Sequence, residues 1–132
     1  MNNIDFEILK KKAWEHKRIA DFALADELYD QAMLNWNFAL EMLMKAALLK
    51  EGIQYPKTHD LGILSQCRDQ RGVKILLSSI NSTRYVRPLW NKIYNVWNPD
   101  LRYKNLGFTP EDFNEIFESY ERVYKWIEDQ FL

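Results

Sequence analysis

A chain of 132 residues, 47% apolar and 14% aromatic, holds enough material for one domain with a real core and leaves no room for a second. Eighteen basic residues against nineteen acidic ones give a formal charge of -1, which excludes a global positive field for nonspecific nucleic-acid binding, so any RNA contact needs a local patch. The single cysteine, Cys67, excludes an internal disulfide framework and a cysteine-rich zinc site, and suits a reducing, cytoplasmic setting.

The N-terminal MNNIDFEILKKKAWEHK lacks the apolar region of a signal peptide, and no stretch approaches the roughly 18 apolar residues a membrane helix needs, so neither export nor a membrane partner is expected. With four Gly and four Pro and few alternating runs, long helices with short connections are the natural reading. A first helix is expected from about Asp5 to Ala25, on a stripe of Phe6, Leu9, Ala13, Ala20 and Leu24 that also carries His16. Asp26 and Asp30 mark a break or cap. Tyr29 to Glu51 reads as a second helix, ended by Gly52 as a left-handed cap.

The second helix is apolar nearly all round: Ala32, Trp36, Leu40, Leu43 and Ala47 fill one face, while Leu34, Phe38, Met42 and Leu49 fill others. Such a helix belongs in the middle of a bundle. Its polar residues Asn37, Glu41 and Lys45 stand at i, i+4 and i+8 and so lie nearly above one another. The Glu41–Lys45 spacing suits an ion pair, read first as a partly buried structural pair facing a neighbour such as an arginine, and second as a ligand-facing group.

The segment GIQYPKT, residues 52–58, reads as a loop, after which Thr58 or Asp60 caps a short helix carrying Leu61, Leu64 and Cys67. His59 at that junction is either a ligand or acid/base histidine, or, in the plainer and preferred reading, part of a cap that pins the loop. Another short helix is expected over Val73 to Ile80. Pro88 fits the first turn of a helix whose stripe is Leu89, Ile93, Val96 and Trp97, stopped by Asn98 and Pro99. Thr109, Pro110, Glu111 and Asp112 form the clearest helix start in the chain, leading a stripe of Phe113, Ile116, Phe117, Tyr120, Val123, Tyr124, Ile127 and Phe131.

The familiar nucleotide, hydrolase and metal spacings are absent from the sequence, and with His16 and His59 about forty residues apart no metal site and no cofactor is expected. Between 84 and 104, Arg84, Arg87, Lys92, Arg102 and Lys104 alternate with Tyr85, Trp90, Tyr94, Trp97 and Tyr103. Cations with rings suit single-stranded nucleic acid or a nucleotide, but Tyr85 and Trp97 at helical spacing fit core packing, and the cations fit a solvated face.

Taken together, the run AMLNWNFALEMLMKAALL (Ala32 to Leu49), the Gly52 that follows, Thr58-His59-Asp60-Leu61, and Asn98-Pro99-Asp100-Leu101-Arg102-Tyr103 resemble a HEPN domain in content, order and spacing, over almost the whole chain. The resemblance implies an all-α, up-and-down bundle of about five helices, four long plus short ones, in one domain over 1–132. It also implies a homodimer, with function either beside a nucleotidyltransferase or as a ribonuclease toxin in toxin–antitoxin and antiphage systems.

Ribonuclease members of that family carry an arginine followed four to six residues later by histidine. Here His16 has no arginine before it, the nearest arginine before His59 is Arg18, and Lys92 and Tyr94 occupy the later positions of the helix starting near Arg87. No catalytic residue is therefore assigned. The expected function is a noncatalytic module that binds nucleotide or RNA, or partners a nucleotidyltransferase, with Glu41, Lys45, His59, Arg102 and Tyr103 as binding residues. Two alternatives stand beside it: a divergent ribonuclease using His59 or a tyrosine, and a structural interaction module using apolar residues of the first and last helices.

Overall fold

The computed structural model describes residues 3–67, 80, 84–96 and 109–132. Among them are five helices and no strand: α1 (Asn3–Ala25), α2 (Tyr29–Lys50), α3 (Leu61–Ser65), α4 (Arg87–Val96) and α5 (Pro110–Phe131). This is the all-α, up-and-down bundle expected. The helix expected over 73–80 lies outside the described residues except for Ile80, which is helical and buried; Trp97 and the stop at Asn98 and Pro99 lie outside them as well.

Backbone geometry at two sharp corners sets the frame. After α1, Glu27 adopts φ 60, and the amides of Glu27 and Leu28 bond back to the carbonyls of Leu24 (3.0 Å) and Ala23 (2.8 Å). Those paired bonds are a Schellman closure, and they satisfy the carbonyls that α1 leaves open. The sequence points to Asp26 or Asp30 as the break, yet neither caps α2: its N-cap is Leu28, which makes no side-chain cap bond. The left-handed residue at 27 turns the chain instead. After α2 the same closure recurs with Gly52 at φ 78 and the amide of Ile53 on Leu48 O (2.9 Å), so the glycine stands where the sequence places a left-handed cap.

α2 is the central element, with α1 packed along one side, α5 along another, α3 against α2, and α4 against α5. Its faces divide as the sequence suggests: Ala32, Trp36, Leu40, Leu43 and Ala47 are buried, whereas Leu34, Phe38, Met42 and Leu49 are half-buried. Tyr29 stacks on Phe113, centroids 4.6 Å apart, and Trp36 stacks on Tyr120 at 5.8 Å, so aromatic rings join α2 to α5 at two levels. α5 starts with a capping box, Thr109 Oγ1 accepting from the Asp112 amide (3.2 Å) and Asp112 Oδ2 from the Thr109 amide (3.0 Å), with Pro110 in the first turn.

α3 and α4 meet closely, because a Cβ on Gly62 would come within 2.8 Å of the Tyr94 ring. α4 buries Trp90 and Ile93 and half-buries Leu89 and Val96.

Candidate functional site

The polar strip of α2 is buried as a unit. Asn37, Glu41 and Lys45 are 5%, 2% and 9% exposed, on a helix otherwise wrapped in apolar side chains. Burial of a carboxylate is costly unless it is paired, and Glu41 is paired twice. Lys45 Nζ donates to Oε2 at 2.9 Å, and His59 Nδ1 lies 2.9 Å from Oε1 and 3.1 Å from Oε2. A neighbour facing the Glu41–Lys45 pair is thus present, and it is a histidine rather than an arginine among the described residues.

Local turn chemistry aims His59 at α2. Asp60 caps α3, its Oδ1 accepting from the Gly62 amide at 2.8 Å and the Ile63 amide at 3.3 Å, while Thr58 Oγ1 accepts from the Asp60 amide at 3.0 Å. Both flanks of His59 are fixed by these bonds, so its ring is presented to Glu41 instead of ranging through solvent. The pinning role is therefore real, and the cap itself belongs to Asp60. α3 is a single turn that ends at Ser65, so Cys67 stands beyond it, half-buried, with its thiol pushed above the ordinary range by burial.

The arrangement grades from core to surface. Glu41 is sealed, Lys45 nearly so, and the side chain of His59 is 76% exposed. Lys45 Nζ also lies 5.2 Å from the centroid of the half-buried Tyr55 ring, in the loop between Gly52 and Thr58. Tyr55 is a member of the cluster that no sequence pattern singles out; its only advance sign is its place between two loop ends, Gly52 and His59, that are both tied to α2. With Nδ1 engaged by Glu41, the imidazole has Nε2 for a further partner. A carboxylate behind a histidine fixes the ring's tautomer and orientation, the arrangement used to hold an anion or to move a proton.

One turn before Glu41, Asn37 accepts at Oδ1 from the Tyr120 hydroxyl of α5, and its Nδ2 has no bonding partner among the described residues. Complete burial pushes the Tyr120 phenol well above its usual range, so it acts as a donor throughout the physiological span. Tyr120→Phe is expected to cost about 1–3 kcal/mol, because it strands the second end of a buried amide, and Tyr120→Phe with Asn37→Leu is expected to recover part of that loss. Urea unfolding followed by circular dichroism measures both.

The remaining expectations separate cleanly. His16 is structural: its Nδ1–H donates to Asn35 Oδ1 at 3.0 Å and its ring packs 5.2 Å from Phe38. No group of three metal-ligating side chains occurs among the described residues. In the basic and aromatic segment, Arg84, Arg87 and Lys92 are exposed, but Trp90 is 3% exposed and belongs to the core. Tyr85, whose spacing suggests core packing, is instead 59% exposed, because it precedes α4 and lies off that helix's buried stripe. Arg102, Tyr103 and Lys104 lie outside the described residues, so the cluster that the structure brings together is Glu41, Lys45, His59 and Tyr55.

No helix among the described residues is long and apolar enough to cross a membrane. No curated protein and no solved structure matches the chain. The sequence profile of the HEPN domain matches residues 6–130, nearly the whole length, on a central α2 whose glutamate, lysine and facing histidine are those the resemblance rests on. The chain belongs to the HEPN domain family.

Proposed function

We propose that this protein is a noncatalytic HEPN module that binds a nucleotide or an RNA end through phosphate, at His59 beside Glu41, Lys45 and Tyr55. The observation that carries the reading is a sealed carboxylate backing a histidine whose side chain is 76% exposed. Glu41 holds the ring in place by accepting from Nδ1–H, the imidazolium form donates outward from Nε2–H to a phosphate oxygen, and the Tyr55 ring offers a surface for a base. The cluster supplies a single exposed histidine, and the sequence lacks the arginine-to-histidine spacing of ribonuclease members, which favours binding over cleavage. Family membership supports a nucleotidyltransferase as the protein that works beside it.

The geometry also favours one rival. A histidine oriented by a buried carboxylate is half of an acid/base apparatus, so a divergent ribonuclease is the second reading. Fluorescence anisotropy with labelled oligonucleotides and nucleotides, run beside a denaturing gel, separates the two. Under the binding reading, affinity falls on the order of tenfold in His59→Ala, one lost charge-assisted contact, and RNA stays intact. Cleavage that resists chelator and disappears in His59→Ala establishes the ribonuclease. Binding unchanged in His59→Ala removes the site from both.

A further inference from the structure

α1 and α5 both pack on α2, and between them lies an open groove of about 310 Å³ with the buried Leu43 of α2 at its base. A cleft of that volume with an apolar base and a few polar groups is of the size that takes a small molecule. Glu7, Lys10, Lys11 and Trp14 stand at i, i+3, i+4 and i+7 on the α1 wall, and Tyr124 and Glu128 stand one turn apart on the α5 wall.

Tyr124 brings an unsatisfied donor to this groove. The residue is 3% exposed, and its ring is held by Trp36, edge-on with centroids 6.0 Å apart, and by Lys17 Nζ, 5.7 Å from the ring centroid. Its hydroxyl makes no hydrogen bond among the described residues. Burial, with the charge of Glu128 added to it, pushes the phenol above its ordinary range, so the group stays protonated and able to donate. A hydroxyl left unpaired in a buried residue is costly, and a bound acceptor recovers that cost.

The charges of the walls are unpaired as well. Glu7, Lys10 and Glu128 form no ion pair among the described residues, Lys10 Nζ has only the Phe6 ring at 5.6 Å, and Lys11 reaches Glu15 at 3.9 Å. Two ammoniums and two carboxylates therefore border one cleft. A ligand with a carboxylate alone is repelled by Glu7 and Glu128, and one with an ammonium alone by Lys10 and Lys11, so the lining selects for a molecule that carries both.

We propose that this groove binds a free α-amino acid with a large apolar side chain, its carboxylate on the Tyr124 hydroxyl and Lys10, its ammonium on Glu128, and its side chain against Leu43 and Trp14. A carboxylate and an ammonium on one carbon match the adjacent Tyr124 and Glu128, whereas the two termini of a peptide stand apart by ~3.5 Å for every further residue. Leu43 lies about 200° around α2 from Glu41 and Lys45, so the groove opens on the side of α2 away from the His59 site, and either site stands or falls without the other.

Backbone NMR titration with L-phenylalanine tests it. Shifts are expected to centre on the amides of α1 and α5 around the groove, and Tyr124→Phe, Lys10→Met and Glu128→Gln are each expected to weaken binding on the order of tenfold. N-acetyl-L-phenylalanine and L-phenylalanine amide, each lacking one of the two charges, are expected to bind more weakly by a similar factor, and His59→Ala is expected to leave the affinity unchanged. Native dispersion of each variant's spectrum confirms the fold, and the two surface variants and the analogues keep the test decisive if Tyr124→Phe unfolds. No groove shifts at about 10 mM L-phenylalanine, analogues that bind as tightly as the free amino acid, or a folded Tyr124→Phe chain with wild-type affinity overturns the proposal.

Discussion

Lys45→Met is expected to destabilise the fold by about 3 kcal/mol, although the change keeps the length and most of the apolar stem of the side chain. Lys45 and Glu41 are 11% and 2% exposed at the side chain and 2.9 Å apart. Removing the cation leaves a buried carboxylate whose other partner, His59, stands mostly in solvent. Unpaired buried charges cost about 3–5 kcal/mol, and the remaining His59 contact keeps the expected loss at the lower end. Lys45→Met combined with Glu41→Leu is expected to regain most of it, because the pair is then replaced by apolar volume rather than broken. Urea unfolding by circular dichroism decides the matter. A loss below about 0.5 kcal/mol for the single variant would mean that the pair behaves as a surface ion pair.

Trp36→Ala is expected to cost about 4 kcal/mol, more than the loss of the Lys45 cation. The indole is 2% exposed, stacks on Tyr120 at an interplanar angle of 18°, and meets Tyr124 edge-on with centroids 6.0 Å apart. It therefore ties the centre of α2 to α5 at the level of the Asn37–Tyr120 bond. A domain of this size is stable by roughly 5–15 kcal/mol, so the variant is expected to lose roughly a quarter to four-fifths of its stability. Trp36→Phe keeps one stacked ring and is expected to lose less. A Trp36→Ala chain melting within about 2 °C of wild type would contradict this packing.

What the sequence conveyed and what it withheld divide by range along the chain. The capping box at Thr109 and Asp112 is readable because both bonds span three residues, and the α2 strip is readable because a 3.6-residue period stacks positions 37, 41 and 45. The partners of that strip are not local: His59 reaches Glu41 across 18 residues and Tyr120 reaches Asn37 across 83. Periodicity gives a face but not the turn of a neighbouring element that lies opposite it. The same limit hid Tyr55, whose contact with Lys45 depends on the path of a loop. Glu27 was unreadable for a different reason, since a left-handed conformation at a non-glycine residue is chosen by the closing bonds around it and not by its own preference.

Surface and core residues of one type were also hard to separate. Trp36 and Trp90 are buried while Trp14 is exposed, and only its phase relative to Leu9, Ala13 and Ala20 sets Trp14 apart. Phe22 and Tyr85 follow the same logic, being apolar in type and outward in position.

The most direct test of the ligand site is a titration of isotope-labelled protein with a nucleoside triphosphate, followed by backbone and imidazole NMR shifts. Perturbations are expected to centre on His59, Tyr55 and Lys45, with the His59 ring nitrogens moving first, and Glu41→Gln is expected to weaken the response, by no more than His59→Ala does, while the rest of the spectrum keeps its native dispersion. Shifts confined to the exposed cations Arg84, Arg87 and Lys92 around α4, or no shifts at saturating nucleotide, would contradict a phosphate site at His59.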